Sequence, residues 1–419
     1  MRPLLQFSLL ALTSLTLVWG VELLRRQDPF LRVARNIPPD QQQLELLLER
    51  PTLTLRDGAR PLATLHIDAL AIERNRIHWR ATRLRQAILY DEQGKPIGSA
   101  RANELIYNFP AKRLHIAGDP TLTIRRHPLG DFPLTVRAAQ LQWDLRTQQI
   151  RADLPTRLTW QDGQGAIERM RWDLASGVLA LERGAFRVSS ALIQERAQPK
   201  REIDIQWDTA KLRSDYSEVR GLRLRDGDTL ATAERADVYD RKRYALATGA
   251  LRLEDPRIDI EGKQLEIWYG ENQKRARLQN SVRMRIKPRE PQPPPNGEEP
   301  SEIDQAKRFP VDATCDDLEY FYRRKVAHLR GNIKAVQQLP EGRTRTLYAD
   351  EAEYDQNKET LTLKGKVILD EPDRLRLETE LAIVSLKEGE ETVELPRGAK
   401  GVFYYTEEDE EATPPNGNR

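Results

Sequence analysis

A single cysteine in 419 residues, Cys315, excludes an intramolecular disulfide framework and any cysteine-rich zinc site. It does not identify the compartment, because large domains fold without disulfides. An excess of one charge is also missing. The 67 Lys and Arg residues against 65 Asp and Glu leave a formal +2, which gives no basic footprint for a nucleic-acid binder, so nucleic acid is not an expected partner. The five histidines, His66, His78, His115, His127 and His328, stand singly, with no i, i+2 or i, i+4 pair and no HExxH. There is no GxSxG elbow, no phosphate-cradling glycine loop and no GxGxxG after a strand. The expectation is a protein that is not an enzyme and holds no metal and no cofactor, with its many carboxylates on solvated strand faces.

Long apolar runs are absent after the first 26 residues. Leu4 to Leu24 form the one such stretch, preceded by Arg2 and followed by Arg25 and Arg26. About 20 residues of helix span roughly 30 Å, the thickness of a bilayer core. Val18-Trp19-Gly20 would also serve as a signal-peptidase site, so a cleaved signal and a retained anchor both fit. Continuation of the apolar stretch through Val21, Leu23 and Leu24 favours the anchor. Arg25, Arg26, Arg32 and Arg35 oppose export under the positive-inside expectation. The rest of the chain must sit wholly on one side of the membrane.

What is abundant is alternation. From about residue 50, apolar and charged residues exchange places with period two, as in Leu222-Arg223-Leu224-Arg225, Leu251-Arg252-Leu253-Glu254, Ile258-Asp259-Ile260-Glu261 and Leu375-Arg376-Leu377-Glu378. This is the mark of half-buried antiparallel strands, and it lets 32% charged residues coexist with a continuous core. The segment 41–50, QQQLELLLER, fits a short helix or the first strand. Turn signals such as Asp91-Glu92-Gln93-Gly94, Asp226-Gly227-Asp228 and Lys387-Glu388-Gly389 separate the strands.

A hairpin repeat runs through this pattern, clearest in residues 138–160, 166–188, 233–255 and 349–371 and weaker in 100–124, 315–336 and 377–404. Each unit is a small-residue strand, an aromatic followed by Asp, a polar turn and a returning strand. Trp143-Asp144, Trp172-Asp173, Trp207-Asp208, Tyr239-Asp240 and Tyr354-Asp355 invite a propeller reading, but the spacing is short for a four-stranded blade and the Gly-His partner is missing. The plainer expectation is that the aromatic closes the apolar face while Asp caps the turn. Residues 194–200 and the proline-rich 287–310 interrupt the pattern, the latter as a disordered insertion within a domain, and 406–419 read as a disordered acidic tail.

The unit ADEAEYDQNKETLTLKGKVILDE, residues 349–371, resembles the OstA-like repeat of the periplasmic lipopolysaccharide transport family. Residues 51–109, with PTLTLRDG and LYDEQGKP, are similar to its membrane-anchored, LptC-like members, and 201–405 to its bridging, LptA-like members. The chain is about twice the length of one family domain, and the 287–310 insertion is unusual for it. The resemblance implies an all-β protein of twisted antiparallel jelly rolls open along one side: an anchor at 1–26, one roll at 27–200 and a second at 201–405. It further implies an inner-membrane anchor with the body in the periplasm. Such a protein passes lipopolysaccharide or a related glycolipid from an inner-membrane ABC transporter toward an outer-membrane translocon, joined to bridge proteins by edge-strand addition.

If one parity faces inward, Leu222, Leu224, Val238, Leu251, Leu253, Ile258, Ile260, Leu361, Leu363, Val367 and Leu369 form an aliphatic lining for acyl chains. The same residues could equally fill a closed sandwich core. A structural or adhesive β-repeat protein without cargo, and a carbohydrate-active β enzyme with carboxylates clustered in one cleft, are the alternatives the sequence leaves open.

Overall fold

The computed structural model describes residues 44–404 apart from 75, 92, 126, 128–131, 162, 190–201, 271–273, 289–307 and 388–391. The expected anchor, the polar interruption at 194–200, most of the 287–310 insertion and the acidic tail lie outside the described residues. Among those described, no helix is long and apolar enough to cross a membrane.

Among the described residues, twenty-six strands, all paired antiparallel, form one continuous sheet. The alternation dictates this. A strand with aliphatic residues on one face and Arg or Glu on the other is stable only when neighbours extend both faces. Residues Leu44–Glu49 are the first strand, which settles the ambiguity of that segment, and with Thr52–Asp57 they line Arg60–Glu73. From Gly163–Asp173 onward the chain is a plain meander of strands ten to thirteen residues long, ending at Leu375–Ser385.

Each long strand crosses a crease. In the N-terminal part the crease is a full break: Arg113–Ala117 and Thr121–Ile124 are two halves of one path, as are Leu134–Ala138 with Gln140–Asp144 and Gln149–Ala152 with Thr156–Trp160. Further on the strands remain continuous but bulged, with register shifts between Thr248 and Leu251, Gln279 and Val282, Arg330 and Ile333, and Lys364 and Val367. Gly249, Asn280-Ser281, Gly331-Asn332 and Gly365 occupy these bulges with positive φ. An inserted residue bends the strand, and opposite these bulges the facing strand changes which parity points inward, as from Ala349 to Ala352. The sheet therefore folds into two arms with the apolar faces of both turned toward one interior.

The expected boundary near residue 200 falls between Val178–Ser189 and Glu202–Leu212, which pair in register from Leu179↔Leu212 to Ser189↔Glu202. One apolar cluster fills the interior from Leu62 to Leu212, and a second begins at Ala233 and ends at Ala382. Ile286 pairs with Val311 on the adjacent strand, on either side of residues 287–310.

The aromatic-Asp units divide. Asp144 Oδ1 accepts the N–H groups of Arg146 and Thr147 at 3.0 and 3.1 Å, Asp173 Oδ1 that of Ser176 at 2.9 Å, and Asp355 Oδ1 those of Asn357 and Lys358 at 2.9 and 3.2 Å. These are the expected turn caps. Asp208 instead lies within a strand against Gly221, and Asp240 opens a short 3-10 turn without a side-chain cap. Sequence identity at those two pairs misleads because the strand register, not the dipeptide, decides where the turn falls.

An apolar trough between the two arms

A continuous row of cross-strand neighbours runs along the interior of the first arm. Leu53, Leu65, Ala87, Ala100, Leu122, Val136 and Leu158 are successive Cα partners, and the row continues through Gly165, Phe186, Ile205, Leu224, Ala231 and Leu253. It then runs through Ile260, Met284, Ala313, Ala335, Leu347, Leu369 and Leu377. The second arm carries a matching row: Met170, Leu181, Ala210, Val219, Ala236, Ala247, Leu265, Leu278, Leu318, Leu329, Ala352, Leu363 and Ala382.

The two ends of these rows differ in packing. In the N-terminal part the large residues are sealed: Leu158 is 0% exposed, Val136 1% and Leu122 2%. In the C-terminal part the buried positions mix alanines, Ala233, Ala313, Ala349, Ala352 and Ala382, with Leu251, Leu278, Val282, Met284, Ile333, Leu363 and Val367, while Leu222, Leu224, Leu253, Ile260, Leu265, Leu318, Leu329, Leu347 and Leu369 stay half-buried. The half-buried aliphatic rows of the two arms face one another across this part of the interior. Trp160, Phe186 and Trp207 mark the transition, with ring centroids 5.0 and 4.5 Å apart in edge-to-face packing. They fill the interior because their strand neighbours are glycines; a Cβ on Gly184 would lie 2.7 Å from Trp207 Cε2.

Each lining residue expected from the sequence lies in a strand of this part. Leu251, Leu363 and Val367 are buried at the base; Leu222, Leu224, Leu253, Ile258, Ile260 and Leu369 are half-buried along the first arm. Val238 and Leu361 belong to the far row of the second arm, with Ala245, Ile267, Ala276, Tyr320, Ala327 and Tyr354 between them. Sequence reasoning missed most of the second arm: Leu265, Leu278, Leu318 and Leu329. A signal existed, since apolar spacing changes from two to four across the strand-internal Gly249, Gly331 and Gly365 and to three on the facing strands, as from Ala349 to Ala352.

The mouth of the first arm is polar. Beyond Leu347 and Leu369, Arg345 donates to Glu371 at 3.1 and 3.2 Å, Arg343 at 3.4 Å, and Arg374 approaches it at 3.6 Å. Glu371 is 3% exposed, so three guanidinium groups surround one buried carboxylate. The outer face of the second arm carries further pairs. Arg277 donates to Asp317 at 2.6 Å and Arg275 to Glu319 at 2.8 Å, and the Asp317 carboxylate holds the Arg277 guanidinium above its ordinary pKa.

No family model matches the chain, and no curated protein matches it. Among solved structures, the crystal structure of LptH from Pseudomonas aeruginosa, described as the LptA-homologous periplasmic component of the conserved lipopolysaccharide transport device, aligns with this chain. The alignment has 13% identity and a TM-score of 0.23, and covers 42% of this chain and 95% of that one. So distant a likeness assigns no function; the chain's own residues must carry the functional reading.

Proposed function

We propose that the trough holds the acyl chains of lipopolysaccharide or a related glycolipid, and that the protein conveys this lipid from an inner-membrane ABC transporter across the periplasm toward the outer membrane. The observation that supports this most directly is the contrast along one sheet. The same inward rows that are sealed in the N-terminal part keep most of their large aliphatic residues only half-buried from Leu222 to Leu377, with Leu278, Met284 and Leu363 as the buried exceptions. An apolar surface left open in water is unfavourable unless something apolar covers it, and an acyl chain gains about 0.8 kcal/mol per CH₂ it buries there. The guanidinium groups around Glu371 suit the phosphorylated head of such a lipid. The resemblance of residues 349–371 to the OstA-like repeat points the same way.

No catalysis is required by this reading, and the driving energy comes from the transporter's ATP hydrolysis. Residues 1–26 anchor the chain in the inner membrane. Among the described residues, Leu44–Glu49 and Thr52–Asp57 at one end, and Thr392–Glu394 and Lys400–Phe403 at the other, each pair along one edge only. Those free edges admit strand addition by bridge or translocon proteins.

Site-specific photo-crosslinking in cells tests the proposal, with the probe at Leu361 and Leu363 in one set and at Thr362 and Lys364 in the other. Glycolipid adducts at the leucines alone support a lipid-filled trough. Adducts at neither set in folded, exported protein would remove the cargo and leave a structural β-repeat protein.

A further inference from the structure

The outer face of the N-terminal sheet holds a cluster that the trough does not use. Arg101, Thr121, Arg137 and Arg157 are successive Cα partners on four adjacent strands. Beside them runs a hydroxyl row, Ser99, Thr123, Thr135 and Thr159. The residues that alternate with them belong to the sealed interior row, so both rows face outward. All three arginines are exposed, and among the described residues no carboxylate pairs with them. Neither row contains an Asp or Glu.

Arg137 lies directly opposite Arg157, and like charges so placed destabilise a sheet. Elsewhere on the outer face arginines have counter-charges: Arg187 with Asp204 at 2.9 Å, Arg252 with Glu254 at 2.8 Å, and Arg285 with Asp312 at 3.8 Å. The uncompensated group borders an open depression of about 420 Å³. Arg85, at its margin, is already neutralised by Asp68 at 2.9 Å.

The geometry points to this face as a docking surface for the phosphate headgroups of an anionic lipid bilayer. Four strands at about 4.8 Å spread the guanidinium groups over roughly 15 Å, too wide for one phosphate and suited to an array of them. The hydroxyl row supplies additional donors to phosphate oxygens. A nucleic-acid backbone is also an array of phosphates, but binders of single strands add aromatic stacking platforms, and neither row holds an aromatic residue. This inference concerns the opposite face from the trough and stands or falls independently of the cargo.

The test uses the full chain reconstituted in phosphatidylcholine vesicles with or without phosphatidylglycerol. A spin label is placed at Gln164→Cys, the exposed neighbour of Thr159 in the hydroxyl row; Cys315, 4% exposed, stays unlabelled. Phosphatidylglycerol should reduce the mobile component at least about twofold, consistent with the attraction of each arginine to an anionic surface. The triple variant Arg101→Gln, Arg137→Gln, Arg157→Gln should abolish the change while melting no lower than the parent. A label at Lys364→Cys should not respond. Equal mobility in both vesicles, or a response that survives in the triple variant, would overturn the proposal. Reversal by millimolar inorganic phosphate or by a single-stranded oligonucleotide would also overturn it in favour of a soluble anion.

Discussion

Gly365 packs against Asp350 of the preceding strand so closely that a Cβ on the glycine would lie 2.7 Å from the Cβ of Asp350. The Asp350 carboxylate accepts the N–H of Lys366 at 2.9 Å and so ties the bulge to its neighbour. Gly365 has φ +88°, which an L side chain rarely adopts. The arrangement recurs: Gly331 meets Asp316, whose Oδ2 also accepts Asn332 Nδ2 at 2.7 Å, and Gly249 meets Glu234. An acidic residue on one strand and a glycine on the next thus form the joint at which the arms bend.

Gly365→Ala is therefore expected to combine strain with a clash. Positive φ in a non-glycine residue costs about 1–3 kcal/mol, and the displaced Asp350 adds the lost bond to Lys366. Gly94→Ala, at φ +76° with open space around it, carries only the strain. Urea denaturation should place the Gly365 variant at the lower midpoint; equal midpoints would remove the joint as a structural element.

Leucine truncation should distinguish sealed interior from open trough. Leu158→Ala creates a cavity in closed packing and should cost about 2–5 kcal/mol. Leu253→Ala removes a half-buried side chain beside the trough and should cost about 1 kcal/mol. Chemical denaturation of the two variants measures the difference, and similar losses would mean the C-terminal interior is as closed as the N-terminal one.

Burial pushes the Cys315 thiol up to about 12, so it is neutral at physiological pH and unreactive as a thiolate. Native protein should show a negligible rate with a disulfide reagent at pH 8, rising to one equivalent in denaturant. The pH dependence follows from the raised value. An unfolded thiol ionises near about 8.5 while the folded one keeps its proton, so this group contributes stability below that pH and loses it progressively toward 12. Cys315→Ala should flatten the alkaline limb of the stability curve.

Burial raises the Asp144 pKa, but the N–H groups of Thr147 and Arg146 and the Arg113 guanidinium outweigh it and hold the carboxyl below its ordinary value. Its contribution is present above the unfolded carboxylate pKa, about 3.9, and is lost as the pH falls through the folded value. Asp144→Ala should cost about 1 kcal/mol at pH 7, the scale of a lost hydrogen bond, and the difference from the parent should narrow in acid. A constant difference across that range would assign the loss to packing instead.

Alternation at Leu222-Arg223-Leu224 or Ile258-Asp259-Ile260 is a local property, so the sequence by itself determined that this is an antiparallel all-β chain with one aliphatic and one charged face. It likewise determined the hairpin turns at Asp144, Asp173 and Asp355, whose carboxylates act on N–H groups two or three residues away. The tertiary structure alone decided which parity faces inward after each crease. Inward positions stay in phase across the bulges at Gly249, Gly331 and Gly365, as in Leu363 and Val367, whereas the facing strands change parity, as from Ala349 to Ala352, and the register with the neighbour decides where that change falls. Register also decided that Leu265, Leu278, Leu318 and Leu329 join Leu224 and Leu253 across one interior, and that Arg137 faces Arg157 without a counter-charge. Residues so far apart in the chain share a face only because the sheet is continuous and bent.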